Sequence, residues 1–281
     1  MKGKNVIITG GNAGIGLATS IGIARQGANV YIVARSKEKG EEAVKEIKAA
    51  SGNNNVKYFV ANLSSQKSVR QLAADIKKDL SVIDVLINNA GGTFVEFGLT
   101  EDGLETTIAT NHFAYFLLTN LLLDLIKKSD YGRIVNVASR SHYRGKIDFD
   151  SFTADKNYFI MRAYEQSKLA NVLFTNELAD RLNGTNVTVN SLHPGVVKTQ
   201  IGNKSANWYS SLFWSLMTKI AGISLEDGAK TSIYLASSPE VKNVTGKYFD
   251  KCKEKQASAL GLDKELGKKL WKKSEELCPL N

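Results

Sequence analysis

A doubly wound parallel α/β sheet in a single domain is what this 281-residue sequence predicts. Three observations predict it. A short apolar run, Asn5-Val-Ile-Ile-Thr9, leads straight into a glycine-rich turn and a helical segment, which is how a βαβ unit opens. Further apolar runs alternate with helical segments along the chain, the pattern that gives right-handed crossovers and helices on both faces of a sheet. No linker, internal repeat or low-complexity stretch breaks the alternation, so residues 1–281 read as one unit.

The elements follow in order. The first strand, Asn5–Thr9, is apolar enough to be buried on both faces. The helix after the glycine turn runs to about Gln26, where Gly27 stops it. Asn29–Ala34 is a second strand, and Ser36 starts a charged helix to Ala50. Strands at Val56–Ala61 and Val82–Asn88 flank a helix at Ser65–Lys78. A long helix at Leu104–Lys128 precedes a strand at Arg133–Ala138, and a helix at Arg162–Leu182 precedes one at Val187–Leu192. A helix at Leu225–Ala236 and a short strand at Lys247–Phe249 close the core, giving about seven strands in a Rossmann-type sandwich.

Hydrophobic residues make up 43% of the chain, enough for a sizeable core, and the net charge of +9 favours anionic partners such as a phosphorylated cofactor. The charge is spread along the chain and accompanies no base-reading motif, so no nucleic-acid partner is expected. Cys252 and Cys278 form neither a disulfide framework nor a metal site, and no metal is expected. The most apolar helical stretch, His112–Ile126, is too short to span a bilayer and carries Asn120 and Asp124. With Met-Lys-Gly-Lys leading directly into a strand, a reducing, cytoplasmic location is expected.

The first turn reads Thr9-Gly10-Gly11-Asn12-Ala13-Gly14-Ile15-Gly16. Gly10, Gly14 and Gly16 let the backbone approach a pyrophosphate, while the helix starting near Ile15 presents free N–H groups and its positive dipole end. The spacing is G-x-x-x-G-x-G rather than the commoner G-x-G-x-x-G. Downstream stand Asn88-Asn89-Ala90-Gly91 after the fourth strand, Ser139 at the end of the fifth, Tyr164-Glu-Gln-Ser-Lys168 on a helix, and Pro194-Gly195 after the sixth strand.

In this order the motifs resemble the short-chain dehydrogenase/reductase family over about residues 3 to 250. Arg133-Ile-Val-Asn-Val-Ala-Ser139, Ser167-Lys-Leu-Ala-Asn-Val-Leu-Phe174 and the long gap between Ser139 and Tyr164 resemble its retinol dehydrogenase-like branch. The resemblance implies hydride exchange between a nicotinamide and a carbonyl or alcohol, with pro-S transfer. The cofactor is expected to be NADP(H): where NAD enzymes carry a carboxylate, about 20 residues after the glycine turn, this chain has Arg35, a good phosphate partner, with Asn12 and Lys37 placed to assist. Family members often have Asp at the position of Asn62; with Leu63 it is either an adenine contact or a simple turn. Asn88, Ala90 and Gly91 resemble the wall beside the cofactor ribose, and Pro194, Gly195, Val197 and Thr199 the turn that holds the carboxamide.

Tyr164 and Lys168 share a helix face, and a nearby ammonium together with the positive charge of oxidised nicotinamide is expected to lower the phenol pKa. By resemblance Tyr164 is the acid–base group, Lys168 also binds the nicotinamide ribose, Ser139 holds the substrate oxygen, and Asn111 organises a water chain from Lys168. The stretch from Ser139 to Tyr164 reads as an insertion beside the active-site mouth, with His142 a surface or loop histidine. The aromatic, charge-poor segment at about 200–223, including Trp208, Trp214 and Met217, is either a substrate lid or a packed helix. The basic helix at about 261–277 either lies on a membrane surface or packs its leucines on the core. A lipophilic carbonyl or alcohol is the expected small-molecule partner; peripheral membrane contact and a homodimer are both open. The competing reading is a non-catalytic NADP-sensing protein of the same fold, which a turnover assay separates.

Overall fold

The computed structural model describes residues 1–155, 157–195 and 223–280. Its strands are β1 (Asn5–Thr9), β2 (Asn29–Ala34), β3 (Val56–Val60), β4 (Val85–Asn88), β5 (Arg133–Val137), β6 (Thr188–His193), β7 (Lys247–Asp250) and β8 (Lys253–Lys255). They form one sheet in the order β3-β2-β1-β4-β5-β6-β7-β8, with every pairing parallel except β7 to β8. Helices α1 (Gly14–Arg25), α2 (Lys37–Ser51) and α3 (Gln66–Asp79) carry the first crossovers. Then come a short α4 (Thr106–Ile108), a π-helical segment (Ala109–Phe113), α5 (Ala114–Lys127), α6 (Ile160–Arg181), α7 (Leu225–Ser237) and α8 (Lys264–Leu277).

Burial on both faces explains the unbroken apolar strands. In β1, Val6 and Ile8 join one core layer and Ile7 the other; in β4, Val85 and Ile87 are split from Leu86 in the same way. One layer packs under α1, α2 and α7, the other under α3, α5, α6 and α8. The strand order reverses between β1 and β4, which opens a crevice at their carboxyl ends.

Two expectations are corrected. The sheet has eight strands, not about seven. β8 is Lys-Glu-Lys, wholly exposed, and it follows a two-residue turn at Lys251 and Cys252, both with positive φ (52° and 60°). That turn usually carries Asn-Gly, so neither the strand nor its hairpin leaves a sequence signal. The long helix expected from Leu104 begins at Thr106 and is interrupted by the π segment. The C-terminal helix packs on the core. Trp271 of α8 lies 5.1 Å from the Phe116 ring and 5.9 Å from that of Phe174, with the Arg181 guanidinium 4.0 Å over it. The His112 ring bonds the Ser274 hydroxyl at 2.9 Å, and Cys278 is buried behind them. No helix among the described residues is long and apolar enough to cross a membrane.

Burial of His112 and His193 ties stability to pH. Desolvation pushes His112 down to about 3 and His193 down to about 4, against an ordinary value near 6.5. Below pH 6.5 the unfolded chain therefore takes up protons that the native chain refuses. The stability these neutral rings contribute is complete above pH 6.5 and declines as pH falls towards their native values. Each histidine costs about 1.4 kcal/mol per pH unit across that window. Glu105, raised by burial, opposes the trend with a single group. Urea unfolding from pH 7 to pH 5 is expected to show this decline; a flat profile would mean the rings are not buried neutral.

Candidate active site

The crevice between β1 and β4 is built first from glycine. Gly10 and Gly14 have φ of 63° and 54°, conformations that side chains resist. Gly16 stands so close to the preceding turn that a Cβ there would lie 2.1 Å from the Gly10 carbonyl oxygen. α1 then begins with Ala13 as its N-cap, without a side-chain acceptor and without an acidic residue in its first turn. Its leading N–H groups are left for an anion, with Asn12 and Ile15 half-exposed beside them. The cradle fits a pyrophosphate.

The two strand ends are pinned together by Thr9 and Asn89. The Thr9 hydroxyl accepts from the backbone N–H of Asn89 (2.8 Å) and of Ala90 (3.0 Å), and the Asn89 amide donates to the Thr9 carbonyl at 2.8 Å. Sequence reasoning assigned Asn89 no role; the doubled Asn of the motif was the only signal. Asn88, expected as cofactor wall, turns the other way. The residue is fully buried and its side chain donates to Thr119 and to Asn136, both at 2.9 Å.

Arg35 is exposed just past β2 and, among the described residues, has no ion pair or hydrogen bond. Ser36 caps α2, and Lys37 is exposed and pairs loosely with Glu41. The Asn62 carbonyl accepts from both the N–H and the hydroxyl of Ser64, which gives it the turn role, while Leu63 leans on the core.

The chemical group assembles around Gly91. A Cβ on Gly91 would lie 2.8 Å from Asn111 Oδ1 and 3.6 Å from Lys168 Nζ, so this turn sits directly over both. Asn111 lies in the π segment, a distortion that often marks functional positions. Its amide donates to the Gly92 carbonyl and the Ser167 hydroxyl, both at 2.9 Å, and its carbonyl accepts from Gly92 N–H at 2.9 Å. Lys168 is buried, donates to the Val137 carbonyl at 3.0 Å, and stands 5.5 Å from the centre of the Tyr164 ring. Ser139, two residues past β5, has its hydroxyl accepting from Ser141 N–H at 3.1 Å, and it lowers the pKa of the Tyr164 phenol.

Burial sets the electrostatics of the protein's own groups. The protein packed around Tyr164 raises its pKa, while the Ser139 contact pulls it down. Lys168 is pushed down to about 8 by burial. Desolvation dominates at both groups, so the protein by itself holds the phenol protonated.

On the substrate side, Gly195 has φ of 91°, and a Cβ there would lie 2.5 Å from Ile223 Cδ1; Pro194 beside it is half-buried. Val197 and Thr199 lie outside the described residues, as does the expected lid apart from Ile223. An apolar rim that the sequence reading did not single out is present instead. Val95, Phe97 and Leu99 after β4 and Phe159 before α6 are all exposed. The Tyr158 hydroxyl ties the two loops by donating to the Phe94 carbonyl at 2.6 Å. His142 is corrected: it is wholly buried, not a surface residue. Among the described residues no cluster of His, Cys, Asp or Glu could hold a metal.

The model of the family described as short chain dehydrogenase matches residues 4–210. The chain is 42% identical to retinol dehydrogenase 13 of Homo sapiens, over 100% of this chain and 86% of that one. Among solved structures, a protein from Mycobacterium Paratuberculosis is 32% identical with a TM-score of 0.78, covering 99% of this chain and 94% of its own. The Pseudomonas aeruginosa RhlG/NADP active-site complex is 25% identical with a TM-score of 0.70, covering 89% and 94%.

A nucleotide titration tests the cradle. Gly16→Ala forces a methyl group against the Gly10 carbonyl and is expected to weaken binding of a nicotinamide nucleotide by about tenfold or more, a cost of at least roughly 1.4 kcal/mol. Unchanged affinity would place the pyrophosphate elsewhere.

Proposed function

Because the chain belongs to the short chain dehydrogenase family, whose members work with a nicotinamide cofactor, we propose that it is an NADPH-dependent reductase of lipophilic aldehydes or ketones, retinal among them, with the reverse oxidation open to it. The single observation that carries this reading is the gathering of Tyr164, Lys168 and Asn111 at the β1–β4 crevice, with Lys168 Nζ 5.5 Å from the Tyr164 ring centre and the Gly91 turn directly over Asn111 and Lys168.

When bound, NADPH supplies a hydride to the carbonyl carbon. The residues fit that role: Gly10, Gly14 and Gly16 open the turn to the pyrophosphate, α1 offers its N–H groups, and the unpaired Arg35 is placed for the 2′-phosphate. Ser139 donates a hydrogen bond to the substrate oxygen and keeps it near Tyr164. As the carbon–oxygen double bond opens, the Tyr164 O–H bond breaks and its proton passes to that oxygen. The phenolate left behind faces the Lys168 side chain, and a proton from solvent restores it. A phenol held protonated by burial is suited to this direction. The reverse oxidation needs the phenolate and gains as pH rises.

Lipophilic substrates are favoured by the apolar rim at Val95, Phe97, Leu99 and Phe159, and by the relatives named retinol dehydrogenase. Each Å² of apolar surface covered contributes about 25 cal/mol, so longer aldehydes gain in kcat/KM over short ones. The uncharged 200–223 segment is proposed as the cover over the substrate's far end.

Arg35→Asp is expected to weaken NADPH by on the order of ten- to a hundredfold while leaving NADH within a few fold, because a charge-assisted bond is replaced by repulsion. Equal affinities for the two cofactors in the unaltered protein would overturn the NADPH assignment. Tyr164→Phe is expected to cut turnover of retinal or a long-chain aldehyde by at least about a hundredfold with cofactor affinity nearly unchanged. If more than a tenth of the activity survived, another group would have to be the acid.

A further inference from the structure

His142 makes two hydrogen bonds through its ring, and together they fix its protonation. Nδ1 lies 2.7 Å from the carbonyl oxygen of Ser139, the backbone of the serine assigned to the substrate. A carbonyl only accepts, so Nδ1 carries a proton and donates. Nε2 lies 3.1 Å from the backbone nitrogen of Ser258, whose N–H only donates, so Nε2 accepts. A single form satisfies both: the neutral ring with its hydrogen on Nδ1.

The ring is wholly buried between Tyr143, 4.1 Å away between ring centres, and Tyr248 of β7, at 4.6 Å. The groups facing it are few. Among the described residues, Lys255 of β8 acts on it directly and His193 at the end of β6 is coupled to it, while Arg140 on its own turn and Asp250 at the end of β7 act on the neighbouring His193 and Tyr248. α6 presents Leu169 and the backbone of Glu165 beneath Gly145 on the same turn. Burial and the Lys255 charge push the His142 pKa down, while its bond to Ser139 pulls it up.

Ser258 stands in the segment that connects the β7–β8 hairpin to α8. Gln256 in that segment accepts from the Tyr143 hydroxyl, and Gly261 accepts from Asn176 of α6 at 2.8 Å. The Ser139 carbonyl receives a second bond, from the backbone N–H of His142 at 3.1 Å, so the turn after β5 is closed on the serine from two directions.

We infer that His142 is a positioning residue: its neutral Nδ1–H form holds the Ser139 backbone, and through Ser258 it makes the placement of the serine hydroxyl depend on the C-terminal segment 256–262. This rests on the reading of Ser139 as the group that holds the substrate oxygen. An imidazolium at this position would set an N–H against the Ser258 N–H and release that segment from the serine's turn.

The test uses the full chain with NADPH and retinal. His142→Phe keeps the ring packing and removes both bonds, while His142→Asn restores an N–H near the Nδ1 position. His142→Phe is expected to lower kcat by about tenfold or more with NADPH affinity within about twofold, and His142→Asn to recover to within roughly threefold of the unaltered protein. The unaltered protein is expected to hold its kcat through pH 6.5 and lose it only at lower pH, where the depressed His142 takes up a proton, and His142→Asn to lack that loss. Full kcat in His142→Phe, or the same acid profile in His142→Asn, would overturn the inference. Long-range ¹H–¹⁵N correlations on the three histidines, assigned with His142→Asn, read the ring form without any turnover. Hydrogen on Nδ1 at pH 7 is expected, and hydrogen on Nε2 or on both nitrogens overturns the inference even if the phenylalanine variant does not fold. A protein with the Nδ1–H ring that reduces no carbonyl compound would instead count against the proposed function.

Discussion

The hydrogen bonds between Thr9 and Asn89 hold the carboxyl ends of β1 and β4 at a fixed spacing. Everything chemical in the molecule hangs from that seam. On one side it sets the turn from Gly10 to Gly16 over the start of α1; on the other it sets Ala90 and Gly91 over Asn111 and Lys168. Parallel strands diverge where their order reverses, and a crevice there needs something to keep its lips at one distance. A buried hydroxyl accepting two successive backbone N–H groups fixes the start of the second lip against the end of the first. A polar layer continues beneath the seam. Asn88 bonds Asn136 and Thr119, and Asn136 bonds Thr175 of α6, so the helix that carries Tyr164 and Lys168 is tied to the same strand ends.

Burial does the remaining tuning. Lys168 has a carbonyl partner but, among the described residues, no ion pair, and desolvation brings it to about 8, within reach of neutral pH. Tyr164 is moved the opposite way for the same physical reason: its charged form is an anion and that of Lys168 a cation, and a poorly solvated site disfavours both. The pair is therefore held close to its uncharged forms, the state from which a neutral phenol donates a proton. A positive charge placed over this site would act against the Tyr164 shift and add to that of Lys168.

Much of this was legible before the structure. Alternating apolar strands and helical segments gave the fold, because strands buried on both faces leave long apolar runs. Glycine spacing located the turn because Gly10 combines a φ of 63° with Ala90 packed where a side chain would start. Tyr164, Lys168, Ser139 and Asn111 were found by motif, and the structure brings them together. What failed to show depended on tertiary partners. Asn88 and Asn89 are chemically identical neighbours, and only the pleat of β4 decides which faces the crevice. His142 looked solvated because its partners, Ser139 and Ser258, are distant from each other in sequence. β8 is invisible because its residues are charged and its turn uses Lys251 and Cys252 where Asn and Gly would announce it.

The π segment at Ala109–Phe113 has a bearing on how such a site tolerates insertion and deletion. A π turn is an α-helix with one extra residue accommodated in a wider loop of backbone. The helical faces before and after it stay in phase, so α4 and α5 pack as halves of one rod while Asn111 is displaced towards the crevice and His112 towards α8. A chain shorter by one residue in this segment would close into an ordinary α-helix, keep Leu117, Leu118 and Leu122 on the core, and lose the Asn111 contacts to Gly92 and Ser167. The scaffold and the chemistry of this helix are thus separable by a single codon.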